Sequence, residues 1–365
     1  MDKGEGPLPQ FLTEEFDAVV VGAGPAGCMA ARRIASHMRV LLIDSSPLPR
    51  SKPCGGALNP YSWSFLRDFS PPSRLFLDPE EVSFRWLDFD SGVSRVTRLE
   101  FKNVSREAFD EWVLSLVPLS VSVRAETRFL GFEERGKELV VTLDSPEGPL
   151  KVGTRYLIGA DGPLSPVRRS LLGSDTPTYA CIQDWVERTN SVHPYFDCIR
   201  MKDVGKGHAY TYTVPKGDAV LVGSVFYPGA TGQKGTHDAV LGRLSERVEF
   251  GKRLKRESAA ALQVRSRKDI FLGRGNVLLA GEAAGFISPT SGEGISYALT
   301  TGDTCGRAIA SNGHGGLAGY ERLIEPAVKN ISRKARKLAL LEYRLGHAIL
   351  AGMPLSVLSW MTKRL

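Results

Sequence analysis

The chain has 365 residues, 42% hydrophobic and 24% charged, which excludes disorder and low complexity and suits about two domains whose cores need no staple. A net charge of +7 arises without interleaved aromatic platforms or a finger or helix-turn-helix spacing, so a nucleic-acid-binding module is excluded; an anionic substrate, cofactor or membrane surface is the better use of that charge. Five scattered cysteines without a C-x-x-C pair and six histidines without ligand spacing exclude a disulfide scaffold and a metal site, and a cytoplasmic location is expected.

The first fifteen residues lack the apolar run of a secretory signal, so Met1 is expected to begin the mature chain. Phe16 to Val21 then reads as a buried parallel strand running into glycines. Helix formers from Cys28 to Ile34 and a second apolar run from Arg39 to Ile43 close a βαβ unit. Val82 to Phe89 and Val93 to Leu99 alternate around Asp90-Ser91-Gly92, a hairpin signature. Arg106 to Leu116 has helical spacing, with Phe109, Trp112, Val113 and Leu116 on one face. Short strands follow at Val121 to Ala125, Glu138 to Leu143 and Arg155 to Ile158. His208 to Val214 and Asp218 to Tyr227 mark an antiparallel region, and Asn276 to Ala280 returns to a buried strand, with a helix from about Gly294.

These elements predict an α/β fold: a Rossmann-type nucleotide-binding domain interleaved with a mostly antiparallel β substrate domain, followed by C-terminal helices. The expected division assigns 1–61, 100–175 and 274–328 to the first domain, 62–99 and 176–273 to the second, and 329–365 to a C-terminal helical segment. In that segment Lys329 to Lys337 carries five basic residues. Leu345 to Thr362 has no formal charge but is broken by Gly346, Gly352 and Pro354, which argues against a spanning helix. A helical cap over the substrate domain and a shallow, peripheral membrane contact through 329–365 both remain open.

Gly22, Gly24 and Gly27 form G-x-G-x-x-G between a strand and a helix, with Pro25 and Ala26 inside it. Gly22 suits the tight turn, Gly24 lets backbone approach a pyrophosphate, and Gly27 lets helix pack on strand. Asp44, at the end of the next strand, is placed to bind ribose hydroxyls. This fingerprint alone admits NAD or FAD.

Two later segments narrow the choice. Tyr156 to Gly162 followed by Arg168, and Asn276 to Gly285, resemble the second and third FAD motifs of the flavoprotein superfamily that includes p-hydroxybenzoate hydroxylase. The resemblance implies FAD, with Asp161 near the nucleotide end and Glu282, where the family usually has Asp, at the ribityl and pyrophosphate region. Pro53-Cys54-Gly55-Gly56 is similar to the P-C-G-G run of the geranylgeranyl reductase family within that superfamily, and Thr290 to Ile295 is similar to its T-G-E-G-I stretch. On that resemblance Cys54, Gly55 and Gly56 lie at the flavin, Cys54 as a catalytic candidate. Gly292, Gly294 and Ile295 would offer backbone N–H groups and a helix dipole to the reduced ring.

The segment from Tyr210 to Pro215 resembles the family's Y-x-W-x-F-P strand, with Tyr212 for Trp and Val214 for Phe. It implies substrate contacts from Tyr210, Tyr212, Val214 and Pro215. Arg106 matches the family's cofactor-facing arginine and Ala125 the position whose backbone meets adenine. No second nucleotide fingerprint is present, so a donor such as NADPH or ferredoxin must reach the flavin transiently. The resemblance implies a reductase that saturates carbon-carbon double bonds of an apolar, isoprenoid or lipid substrate. An FAD monooxygenase shares all three cofactor motifs and is the alternative; a non-catalytic or electron-shuttling flavoprotein is a further one. A halogenase W-x-W-x-I-P segment is missing.

Overall fold

The computed structural model describes residues 13–190, 194–311 and 316–342. β1 (Thr13–Val21), α1 (Pro25–Ile34) and β2 (Val40–Ile43) form the expected βαβ unit. Every β2 residue is buried, as in a strand covered on both faces. β3 (Ala57–Leu58) and α2 (Pro60–Leu66) lead to the long hairpin of β4 (Phe76–Asp88) and β5 (Ser94–Val104). α3 (Arg106–Ser115) is capped by Ser105 and buries Phe109, Trp112 and Val113. β6 (Ser122–Arg124), β7 (Arg128–Arg135), β8 (Glu138–Ser145) and β9 (Gly148–Gly159) follow, then α4 (Pro166–Leu172).

The middle of the chain supplies β10 (Thr178–Glu187), β11 (Tyr195–Arg200), β12 (His208–Lys216), β13 (Ala219–Phe226), α5 (Gln233–Ser245) and β14 (Arg253–Leu262). β15 (Gly273–Arg274), β16 (Val277–Leu279), α6 (Ile295–Ala310) and α7 (Gly316–Glu342) complete it.

Two sheets result. The first runs β15-β16-β9-β1-β2-β6, with the β7–β8 hairpin attached through β9. Its β16, β9, β1, β2 and β6 are mutually parallel. Val21, Ile43, Gly159 and Leu279 therefore end at one edge of the sheet, which is where ligands bind in such folds. The second sheet runs β14-β10-β13-β12-β11-β4-β5-β3. Strand pairing carries it past the 62–99 stretch, because alternation continues through β5 to Val104 and β3 pairs with Asn103 and Lys102. α7 is continuous from Gly316 to Glu342, across position 329. Leu345 to Thr362 lies outside the described residues.

The second sheet has two different faces. Val220 and Val222 pack with Val240 and Leu244 of α5. On that covered face Ser224 Oγ lies 2.7 Å from His237 Nδ1, and His237 Nε2 lies 3.6 Å from Asp184. All three side chains are fully buried, so this Ser-His-Asp contact binds α5 to the sheet and meets no substrate. The opposite face carries Tyr212, Val214, Leu221 and Val225 as a separate cluster, with Tyr210 and Phe196 beside it.

Candidate cofactor and active site

The loop between β1 and α1 is shaped by glycine. Gly22 has a φ of +101°, and a Cβ on Gly27 would collide with the Gly22 carbonyl, so the helix begins directly against the strand. α1 has no capping side chain and no acid in its first turn. Pro25 has no N–H, and those of Ala26 and Gly27 have no intrahelical acceptor. Asp44 braces this loop: one carboxylate oxygen accepts from Ala23 N at 2.9 Å and the other from Ser46 N at 3.0 Å. Ala125 follows β6 at the same edge, where Glu126 N donates to the Ser46 carbonyl and Thr127 N to the Asp44 carbonyl.

Arg50 was not legible as a site residue, since it is a lone cation in a Pro-rich turn without a motif. A Cβ on Gly24 would stand 2.7 Å from its Nη2. Its Nε is buried without a hydrogen-bond partner, 3.3 Å from Asp44 Oδ2. A guanidinium held over a bare helix N-terminus places positive charge on positive charge, an arrangement that an anion between them relieves. Asp161 also keeps a buried oxygen unpaired, while its other oxygen accepts from Val167 N at 3.2 Å. Unpaired donors around a helix N-terminus beside an acidic strand end fit the pyrophosphate and ribose of FAD.

From Arg50 a chain of charges runs inward. Its Nη2 lies 3.9 Å from Asp110, which receives Arg106 through both carboxylate oxygens at 2.9 Å. Arg106 in turn adjoins the Cys54 sulfur. Burial pushes the Cys54 thiol up, but Arg106, the Gly56 N–H and Lys52 outweigh it, and the net position is below the ordinary thiol value. Cys54, Gly55 and Gly56 thus form one turn with Arg106 behind it.

The third motif is built differently from expectation in two respects. Glu282 Oε1 accepts from Leu262 N at 2.8 Å and Oε2 lies 3.7 Å from Lys52 Nζ, so this acid ties β14 to the Cys54 loop as well as bordering the cofactor region. Gly292 N donates to the Ser288 carbonyl at 2.9 Å, closing the turn, and so is not free to face a flavin. Glu293 accepts from Ser296 N and Oγ, each at 2.7 Å, so an acid already occupies the N-terminus of α6. Gly294 is the N-cap residue and Ile295 begins the helix, buried. Arg168, which sequence reading placed after the second motif, donates to the Ala283 and Asp269 carbonyls at 2.9 and 2.7 Å and clamps that motif to the third.

Opposite these loops stands the inner face of the second sheet. Phe84 and Phe101 have ring centroids 6.3 Å apart, Phe84 and Phe196 5.8 Å, Phe196 and Tyr212 5.9 Å, and Tyr212 and Tyr210 6.4 Å. This is an aromatic wall running across four strands. A Cβ on Gly55 would touch Phe196 at 3.5 Å and Tyr212 at 3.9 Å, and one on Gly292 would lie 3.3 Å from the Tyr210 hydroxyl. Tyr212 lies flat over its cross-strand partner Gly223, where any side chain would collide with the ring. Its hydroxyl receives Gln183 Nε2.

Val214 is wholly buried within this cluster and shapes it from beneath. Pro215 departs from the expected substrate role. The period of two sets its ring with Thr211 and Thr213 on the other face, and its carbonyl accepts from Asn103 Nδ2 at 2.9 Å. Phe84, Phe101 and Phe196 were missed because single phenylalanines in alternating strands read as ordinary core.

A parallel nucleotide-binding sheet facing an aromatic-walled, mostly antiparallel sheet, in which only β11 and β4 pair in parallel among the described residues, is the arrangement of an FAD-dependent flavoprotein. Residues 116–323 match the FAD binding domain family, and the chain belongs to it. Protein CbrA of Escherichia coli strain K12 is 34% identical over 299 residues, spanning 80% of this chain and 83% of that one. Among solved structures, a geranylgeranyl bacteriochlorophyll reductase-like protein of Thermoplasma acidophilum superposes with a TM-score of 0.75 at 20% identity, covering 90% of this chain and 89% of that one. Aklavinone-11 hydroxylase, solved with FAD and aklavinone, superposes with a TM-score of 0.71 at 20% identity, covering 92% of this chain and 70% of that one. The protein is an FAD-dependent oxidoreductase-type flavoprotein.

Proposed function

We propose that the protein is an FAD-dependent reductase that saturates carbon-carbon double bonds of an apolar, isoprenoid-like substrate, with electrons from a transient donor such as NADPH or ferredoxin. The observation that carries this reading is the aromatic wall from Phe101 to Tyr210 packed against the Cys54–Gly55 turn, whose polar atoms are phenol hydroxyls and a thiol. Such a surface recognises a flexible apolar chain by area and dispersion and offers a carboxylate or phosphate no ion pair.

FAD, when bound, supplies the hydride. The chain's own residues supply the rest. The α1 N-terminus, Arg50 and Asp44 would hold the pyrophosphate and adenosine ribose, Ala125 the adenine edge, Asp161 would lie near the nucleotide end, and Glu282 at the ribityl and pyrophosphate region. Tyr210 and Tyr212 exclude water and orient the alkene. Alkene reduction also needs a proton on the second carbon, which solvent delivers, with the Cys54 sulfur at the meeting of turn and wall.

The same wall suits a hydroxylase acting on an aromatic substrate, the reading favoured by the likeness to aklavinone-11 hydroxylase. Oxygen separates the two. Dithionite-reduced protein incubated anaerobically with prenyl alcohols should yield product heavier by two hydrogens. Product that forms only in air and gains one oxygen would establish the hydroxylase instead, and no product in either atmosphere would favour an electron carrier. We place the enzyme in the cytoplasm, collecting its substrate at an anionic membrane surface through the exposed Arg333 and Arg336 of α7. Among the described residues no helix is long and apolar enough to cross a membrane.

A further inference from the structure

Lys216 ends β12 on the same face as Tyr212 and Val214, and it is 5% exposed. Its Nζ donates to the Gly56 carbonyl at 2.9 Å, to Asn103 Oδ1 at 2.6 Å and to the Val104 carbonyl at 3.1 Å. All three acceptors are uncharged, and they match the three N–H bonds of an ammonium one for one. A neutral amine would turn its lone pair toward one of them.

The surroundings are built for this contact. Asn103 is fully buried, and its Nδ2 donates to the Pro79 and Pro215 carbonyls, each at 2.9 Å, so its amide oxygen is left facing Lys216. Gly56 has a φ of +57°, and a Cβ there would stand 2.8 Å from Lys216 Nζ and 2.5 Å from the Val104 oxygen. Only a glycine admits both the backbone conformation and the approaching ammonium. Gly56 N in turn donates to Cys54 Sγ at 3.4 Å. Lys216 therefore reaches Cys54 through a single residue, from β12 of the sheet that β3 joins directly after Gly56.

We propose that Lys216 is a positioning residue: as an ammonium it ties the Cys54–Gly56 turn to the substrate-binding sheet and keeps the Cys54 sulfur poised as a thiolate where cofactor and substrate meet. The charged and titratable groups around Cys54 are Arg106 from α3, Lys52 from its own loop, Cys181 from β10, and Tyr212 and Lys216 from β12; those acting on Lys216 are Cys54 and Arg106. Burial pushes Lys216 down to about 7, so its charge is lost across the neutral range. Cys54 and Lys216 then titrate as a coupled pair, not as independent groups. The role is the same whether the flavin reduces an alkene or activates oxygen.

The test is the pH profile of Cys54 alkylation by iodoacetamide, read by peptide mass in FAD-loaded and FAD-free protein between pH 6 and 9, with Cys54→Ser as the labelling control. The wild type should show a broadened profile with two ionisations. Lys216→Met should show one, with its midpoint raised by about one unit and the rate at pH 7 lowered about tenfold. Lys216→Arg, whose charge does not titrate, should also show one but keep the low midpoint. A structural role alone would not split Met and Arg in this way. If Lys216→Met fails to fold by circular dichroism, Lys216→Gln, which retains two donors, takes its place. Identical profiles in the wild type and the neutral variant, or no alkylation of Cys54 in either form of the wild type, overturn the proposal.

Discussion

Arg50 and Asp161 each keep a buried atom without a hydrogen-bond partner, Nε in one and Oδ1 in the other, and the two lead to different tests. Arg50 adjoins the glycine loop without a full set of acceptors, so its contribution belongs to the holoprotein. Arg50→Ala should weaken FAD binding by about 1–3 kcal/mol, the scale of hydrogen bonds to a charged group, as read by flavin fluorescence titration. Asp161 acts on the FAD-free fold. Burial pushes its carboxyl up to about 6, against about 4 in an unfolded chain. A folded value above the unfolded one gives stability that is complete below pH 4 and lost as the pH rises through 6. Asp161→Asn should therefore gain about 2 kcal/mol relative to wild type on going from pH 4 to pH 7, measured as the difference in urea midpoints of the FAD-free proteins.

α7 shows how an element redistributes a charge run. Tyr320, Ile324, Val328, Ile331 and Ala335 are buried at helical spacing, so one stripe packs inward. Lys334 falls beside that stripe and is 5% exposed, with its Nζ 5.3 Å from the Tyr297 ring centroid. Burial pushes it down to about 8. Of the five basic residues from Lys329 to Lys337, it cannot serve a membrane surface, whereas Arg333 and Arg336 point outward. Reversing both, Arg333→Glu with Arg336→Glu, should abolish flotation with anionic liposomes while leaving the melting temperature unchanged. Retained, salt-sensitive flotation would place the membrane contact elsewhere.

At the scale of the molecule, the proposed cofactor region is assembled from segments far apart in the chain: the loop at 22–27, Asp44 to Gly56, Arg106, Asp161 and Glu282. Ordering these against one ligand should couple FAD binding to global stability. The melting temperature should rise with free FAD, by the equivalent of about 2.7 kcal/mol at one hundred times the dissociation constant. FMN, which lacks the adenosine half that Asp44 is proposed to hold, should produce no comparable shift. Heat release followed by chromatography should return intact, noncovalently held FAD.

By itself the sequence determined the nucleotide-binding half, because that half is written locally. Gly22, Gly24 and Gly27 sit between a strand and a helix, Asp44 ends the next strand, and the runs around Asp161 and Glu282 keep their order along the chain, each a short-range pattern imposed by backbone geometry. The hairpin around Asp90-Ser91-Gly92 and the shared face of Tyr210, Tyr212 and Val214 were legible for the same reason, a period of two. Only the tertiary structure decided which isolated side chains meet. Arg50 above the α1 N-terminus, Phe84 and Phe101 against Phe196, and Lys216 reaching Gly56 across the strands of the second sheet are contacts between segments distant in sequence, with no spacing rule to join them. Tertiary packing also consumed groups that looked free: the Gly292 N–H closes its own turn, Pro215 faces away from the wall, and Lys334 lies buried in a run that reads as solvated.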